Sequence, residues 1–172
     1  MAEVLGRAFF DRPTLVVAEE LIGKFLVRQR DGETSAHRLV EVEAYDGPKD
    51  RASHAFRGVT PRNSVMFGPP GVFYVYFCYG MHHMLNVTTG AEGFPAAVLI
   101  RGLEDVSGPG RLTRALGITR GLYGKPAVPD SGLWFEDRGA PRPRIERTAR
   151  IGVAYAGPTW SRRRYRFVAK KS

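Results

Sequence analysis

The apolar residues of this chain fall in short runs, several with a period of two. The spacers between them are too short for the crossover helices that repeated parallel strands require. That pattern predicts an α+β fold, a single domain over residues 1–172 with a mainly antiparallel twisted sheet and a few helices. A chain of 172 residues is long enough to bury a substantial core. Asp11-Arg12-Pro13 reads as a helix entry, with Asp11 as N-cap, Pro13 in the first turn and Gly23 as the stop. Asp31-Gly32 lies between two apolar runs and predicts a hairpin. Residues 46–70 are rich in Gly, Pro, Asp and Asn and read as an ordered loop with a short helix around 62–67. Residues 72–77 and 84–88 predict a second, protruding hairpin with Tyr79 at its tip. A strand at 97–101 and a helix at 111–116 follow, then strands at 133–135, 148–153 and 165–168.

The strand before the long loop carries the first chemical signal. Val40, Val42 and Ala44 alternate with Glu41, Glu43 and Tyr45, so the two sets face opposite ways. The apolar set suits the core, which leaves two carboxylates and a tyrosine on an open face. His54 in the loop and the tyrosines of the second hairpin add groups that could grip a flat polar ring.

Charge narrows the class of partner. The net charge is +9, yet residues 138–172 alone carry eleven Lys and Arg against one acid, Glu146. The whole excess therefore lies in the basic C-terminal segment, in Arg142, Arg144, Arg147, Arg150, the run Arg162, Arg163, Arg164 and beyond. It reads either as a phosphate-binding face or as a solvated tail. No run of about 18 apolar residues predicts a membrane span, and the N-terminus lacks the pattern of a signal peptide. One cysteine, Cys78, allows no internal disulfide and no cysteine-based zinc cluster. The expected location is the cytoplasm, with nucleoid association in a bacterium.

Four blocks, EVEAYDGPKDRASHAFRGVTPRN, MFGPPGVFYVYFCYGMHHMLNV, AAVLIRGLE and SGPGRLTRALGI, occur in this order. Together they resemble the 3-methyladenine (alkyladenine-type) DNA glycosylases over most of residues 10–118. The resemblance implies an enzyme that flips an alkylated or deaminated purine out of double-stranded DNA and hydrolyses its N-glycosidic bond, without lyase activity. It implies that Glu43 activates the hydrolytic water and that Arg101 helps to hold it. Tyr45, His54 and Tyr76 would sandwich and edge the extracted base, and Asn86 would discriminate at the pocket floor. Tyr79 would wedge into the duplex. No metal or organic cofactor is implied, and a monomer is the default expectation. The segment from Gly102 to Gly108 is shorter than the family's usual connection, and the GPTWSRRRYRF tail departs from its usual ending. Arg162, Arg163 and Arg164 are expected to supply DNA contacts in compensation.

Other chemistries fit the residues less well. His82 and His83 are adjacent, so a strand points them to opposite faces, and no metal-ligand spacing is present. Glu41 and Glu43 lie side by side on one strand rather than across a scissile bond as in glycosidases, so Glu41 reads as supporting. Schiff-base chemistry would need a pocket lysine, and Lys49, the only nearby candidate, reads as a surface loop residue. A non-catalytic nucleic-acid-binding module and a nucleosidase acting on free nucleosides remain open alternatives.

Overall fold

The computed structural model describes residues 2–171. Among them nine strands and four α-helices form one α+β unit built on an antiparallel sheet. Strands β1 (Glu3–Val4), β2 (Phe25–Arg30), β3 (Glu33–Asp46), β4 (Phe73–Cys78), β5 (His82–Thr88), β6 (Ala96–Leu103) and β7 (Leu133–Asp137) are arranged in the order β1-β7-β2-β3-β6-β5-β4. A late pair, β8 (Ile145–Thr148) and β9 (Arg166–Ala169), joins through β9, which pairs with β3 at Glu41–Glu43. The helices are α1 (Arg7–Phe10), α2 (Thr14–Leu21), α3 (Pro109–Leu116) and α4 (Gly157–Ser161).

Strand β3 is the axis of the molecule. Its first half pairs with β2 through a two-residue turn in which Asp31 and Gly32 both have positive φ, 54° and 76°. Its second half lies between β6 on one side and β9 on the other. Alternation then sorts the side chains. Val42, Ala44, Phe73, Val75, Leu85, Val87, Val98 and Ile100 enter the main core, where they meet Val17, Ala18 and Leu21 of α2 and Leu112 and Leu116 of α3. The opposite face carries Glu43, Tyr45, Tyr74, Tyr76, Asn86, Leu99 and Arg101, and the loops after β3 and β8 fold over it.

Several local expectations require correction. Asp11 does not cap α2; Pro13 occupies that position without a side-chain bond, and Asp11 instead ends α1. Val40 does not join the core. The β3–β6 register shifts between Leu39 and Val42, so Leu39 fills the core position and alternation resumes at Val42. Such an irregularity re-aims the strand beside a site. The strand read at 148–153 lies earlier, at Ile145–Thr148, because Gly152 (φ 73°) turns the chain there. The short helix in the long loop is a single 3-10 turn, Ser64–Phe67. No helix among the described residues is long and apolar enough to cross a membrane.

Candidate active site

The solvent-side face of the sheet and the loops above it enclose a cavity of about 330 Å³. Tyr45, His54, Tyr76, Tyr79, Asn86 and Arg101 all line it. Its walls are aromatic. The His54 and Tyr76 rings meet edge to face at 4.6 Å, Tyr74 and Tyr76 are 5.3 Å apart, and the Arg62 guanidinium lies 5.0 Å over Tyr76. Leu99, Ala97 and Met66 supply apolar surface. The cavity size and this mixture of apolar walls with few polar groups suit a small planar ligand.

Polar groups in the cavity are held by named partners. The His54 Nδ1 lies 2.8 Å from the Tyr74 hydroxyl. Burial of the ring and the Arg62 cation both lower its pKa, which favours neutral imidazole. Burial pushes the Tyr76 phenol well above its ordinary value and the Tyr74 phenol up to about 12, so both act as neutral hydroxyls. Asn86 is buried and donates its side-chain N–H to the Tyr74 carbonyl at 3.2 Å. Its amide oxygen is thereby left as an acceptor for the cavity.

Glu43 is the most tightly held of the candidates, and it is not on an open face. It is 0% exposed and sits behind the cavity wall. The Tyr45 hydroxyl donates to one carboxylate oxygen at 2.9 Å, and the Ile151 backbone N–H donates to the other at 2.8 Å. The Arg101 Nε stands 3.7 Å away. Tyr45, Ile151 and Arg101 all reach the cavity, so the carboxylate is one side chain's thickness from the ligand space. Desolvation raises the Glu43 pKa and outweighs the opposing effects of Arg101, the Ile151 N–H, Tyr45 and Arg150. Glu41 occupies a different niche, between Arg101 at 3.2 Å and Arg166 at 2.7 Å, where it anchors two cations.

Three residues that sequence reading passed over complete the site. Arg150, counted among the excess cations of the tail, is wholly buried and forms a two-pronged ion pair with Asp50 at 2.6 and 3.0 Å. It also donates to the Ala44 carbonyl and lies 4.9 Å over the Tyr45 ring. Asp50 in turn accepts from the Asp46 and Ala52 backbone N–H groups, so it organises the loop that carries His54. Tyr74 was legible in principle, since it shares a strand face with Tyr76 two residues on. Arg150 and Asp50 gave no such signal. Arg162, Arg163 and Arg164 are exposed and outside the cavity, with Arg163 lying 4.8 Å over Trp160. Lys49 is an exposed loop residue. Among the described residues no group of three or more His, Cys, Asp or Glu side chains is placed to hold a metal ion.

The sequence profile of the Methylpurine-DNA glycosylase family matches residues 8–172. The chain belongs to that family. Relatives bearing the name "Putative 3-methyladenine DNA glycosylase" include one from Anaeromyxobacter dehalogenans strain 2CP-C, 48% identical over 98% of this chain and 84% of its own length. Another, from Methanocella arvoryzae, is 46% identical over 98% of this chain and 94% of its own. A third, from Myxococcus xanthus, is 44% identical with 98% and 91% covered. Membership in the methylpurine-DNA glycosylase family places the chain among the hydrolytic DNA glycosylases of DNA repair, enzymes that process alkylated bases.

Proposed function

We propose that this methylpurine-DNA glycosylase extrudes an alkylated or deaminated purine from duplex DNA into the aromatic cavity and releases it by hydrolysis. The observation that carries this reading is the juxtaposition of three features: an aromatic cavity, Glu43 behind its wall beside the cavity-lining Arg101, and Tyr79 at an exposed hairpin tip on its rim. An alkylated purine that carries positive charge is electron-poor, and the faces of Tyr45 and Tyr76 attract it. The same charge makes it a good leaving group. The protein's task is then to supply a water made nucleophilic by Glu43, with Arg101 holding that water and the carboxylate offsetting positive charge on the sugar.

Glu43 is sealed by Tyr45 and Ile151 in the free protein, so the Tyr45 hydroxyl has to swing aside for water to reach it. That hydroxyl also lowers the Glu43 pKa, and the carboxylate is the active form. Tyr45→Phe is therefore expected to move the acid limb of the single-turnover pH–rate profile to higher pH. An unmoved limb would separate Glu43 from the titration that limits rate. Among the described residues the cavity lining holds no lysine to supply an amine for Schiff-base chemistry, and release without strand cleavage is the reading that fits it.

Tyr79 is 88% exposed and projects where it can fill the gap left by an extruded base. Stacking by an aromatic side chain is worth about 1–3 kcal/mol per base. Tyr79→Ala is expected to slow release from intact duplex by roughly 5- to 150-fold, with a much smaller loss at a lesion already unstacked in a bulge. Equal losses on the two substrates would contradict the wedge role. The reading as a whole is tested by quantifying free base released from alkylated duplex under excess protein. Binding without any release would leave a non-catalytic DNA-binding module, and release from free nucleosides as fast as from duplex would point to a nucleosidase.

A further inference from the structure

Beside the base cavity lies a second one, of about 270 Å³. The two share a wall made of Ser53, His54 and Tyr155. The far side of the second cavity is lined by Arg51, Phe56 and Arg57, all exposed. Neither arginine is paired with a carboxylate among the described residues, although the adjacent Asp50 is fully committed to Arg150. Arg51 is instead ordered over the Phe56 ring at 5.2 Å. Tyr155 is 69% exposed, yet its hydroxyl is fixed to the Ala52 carbonyl at 2.6 Å, so an open aromatic ring is held rigidly on the shared rim. The site thus combines two free guanidinium groups with a fixed ring edge, at the lip of a cavity shaped for a base.

Covalent connectivity supplies the occupant. A nucleotide whose base enters the first cavity carries a phosphodiester on each side of its sugar, and that backbone must cross the rim. We propose that the Arg51–Arg57 cavity is a phosphodiester site for the DNA strand that carries the extruded nucleotide, with Tyr155 as the guide that directs the strand from one cavity to the other. This rests on the DNA-processing reading given above. It adds a backbone contact from the loop before and after His54, distinct from the Arg162–Arg164 run. Arginine suits the role because its planar fork matches a phosphate.

The test uses the full chain and a short duplex containing one tetrahydrofuran abasic site, with affinity measured across a salt series. Neutralising the pair, as Arg51→Gln with Arg57→Gln, is expected to flatten the slope of log affinity against log salt by about 1–2. Restoring charge with Arg51→Lys and Arg57→Lys should return most of that slope. Arg7→Gln is the control, because Arg7 lies on α1 and pairs with Glu92; its slope should match that of the unmodified protein. All the substituted side chains are exposed, so melting temperatures should agree and loss of fold cannot mimic the effect. A double variant with an unchanged slope, or an Arg7→Gln variant that flattens it equally, overturns the proposal while leaving the DNA reading intact. An unmodified protein that does not bind the abasic duplex overturns both.

Discussion

Replacing Glu43 by Gln is expected to slow base release by about 10²–10⁴-fold, the range a positioned general base contributes, while affinity for damaged duplex is retained. The amide keeps the shape of the carboxylate, and its oxygen can still accept from the Ile151 N–H. Tyr45 can turn its hydroxyl to accept from the amide nitrogen, so the local bonds survive. Single-turnover release and equilibrium binding to the same alkylated duplex separate the two effects. A variant that releases base at the normal rate would remove Glu43 from the chemistry. The same substitution makes a second, independent claim about stability. Burial raises the Glu43 pKa above its ordinary value, so the folded state favours the protonated acid. Both folded and unfolded chains hold that proton in acid, where the residue imposes no ionisation penalty. The penalty grows as pH rises through the raised folded value, since the unfolded chain ionises more readily. Glu43→Gln should therefore melt higher than the unmodified protein at neutral pH, with the gap closing in acid.

Arg150→Met carries the largest expected structural effect. Arg150 and Asp50 are both buried and bonded twice to each other. Removing one partner of such a pair leaves the other charged in a low-dielectric interior, which costs about 3–5 kcal/mol. Against a typical total of about 5–15 kcal/mol, that is a large fraction of the fold's stability. Denaturant titration should show the loss for Arg150→Met. Asp50→Asn should show a comparable loss, and the double variant should lose less than the two together, because one charge can no longer be stranded. Strict additivity would mean that the two residues act separately. The effect should spread to the chemistry, because Arg150 backs the Tyr45 ring and the next residue, Ile151, supplies the N–H that holds Glu43. One buried cation thus ties the His54 loop, the central strand and the late chain segment together.

How far the sequence could be read follows from the range of the interactions involved. The hairpin at Asp31-Gly32 and the shared facing of Glu43 and Tyr45 depend on turn chemistry and on a two-residue period, both local, and both were readable. The facing of Glu41, Glu43 and Tyr45 was right, but the conclusion that they stand on an open face was not. What closes that face is β9 and the Ile151 turn, about a hundred residues further along the chain. Val40 was misplaced because a register irregularity leaves no mark in apolar alternation. Residues 148–153 imitated a strand through Ile151 and Val153, while the real strand, Ile145–Thr148, is polar because it pairs only with β9. Arg150 looked like one more tail cation, since nothing nearby in sequence announces Asp50 as its partner. The family resemblance reached the residues around the cavity, and the tertiary contacts that fix them came from the structure alone.

The hairpin tip bears on how such an enzyme can be improved. Tyr79 and Gly80 both have positive φ, 54° and 64°, and the Met81 N–H closes the turn on the Cys78 carbonyl. Glycine or asparagine fits the first of these positions with little strain, whereas a tyrosine there costs about 1–2 kcal/mol. A search for thermostable variants would therefore converge on this residue and, in selecting the more comfortable turn, discard the exposed aromatic ring on which the proposed wedge role rests. Screens for heat resistance and screens for repair should rank substitutions at Tyr79 in opposite order.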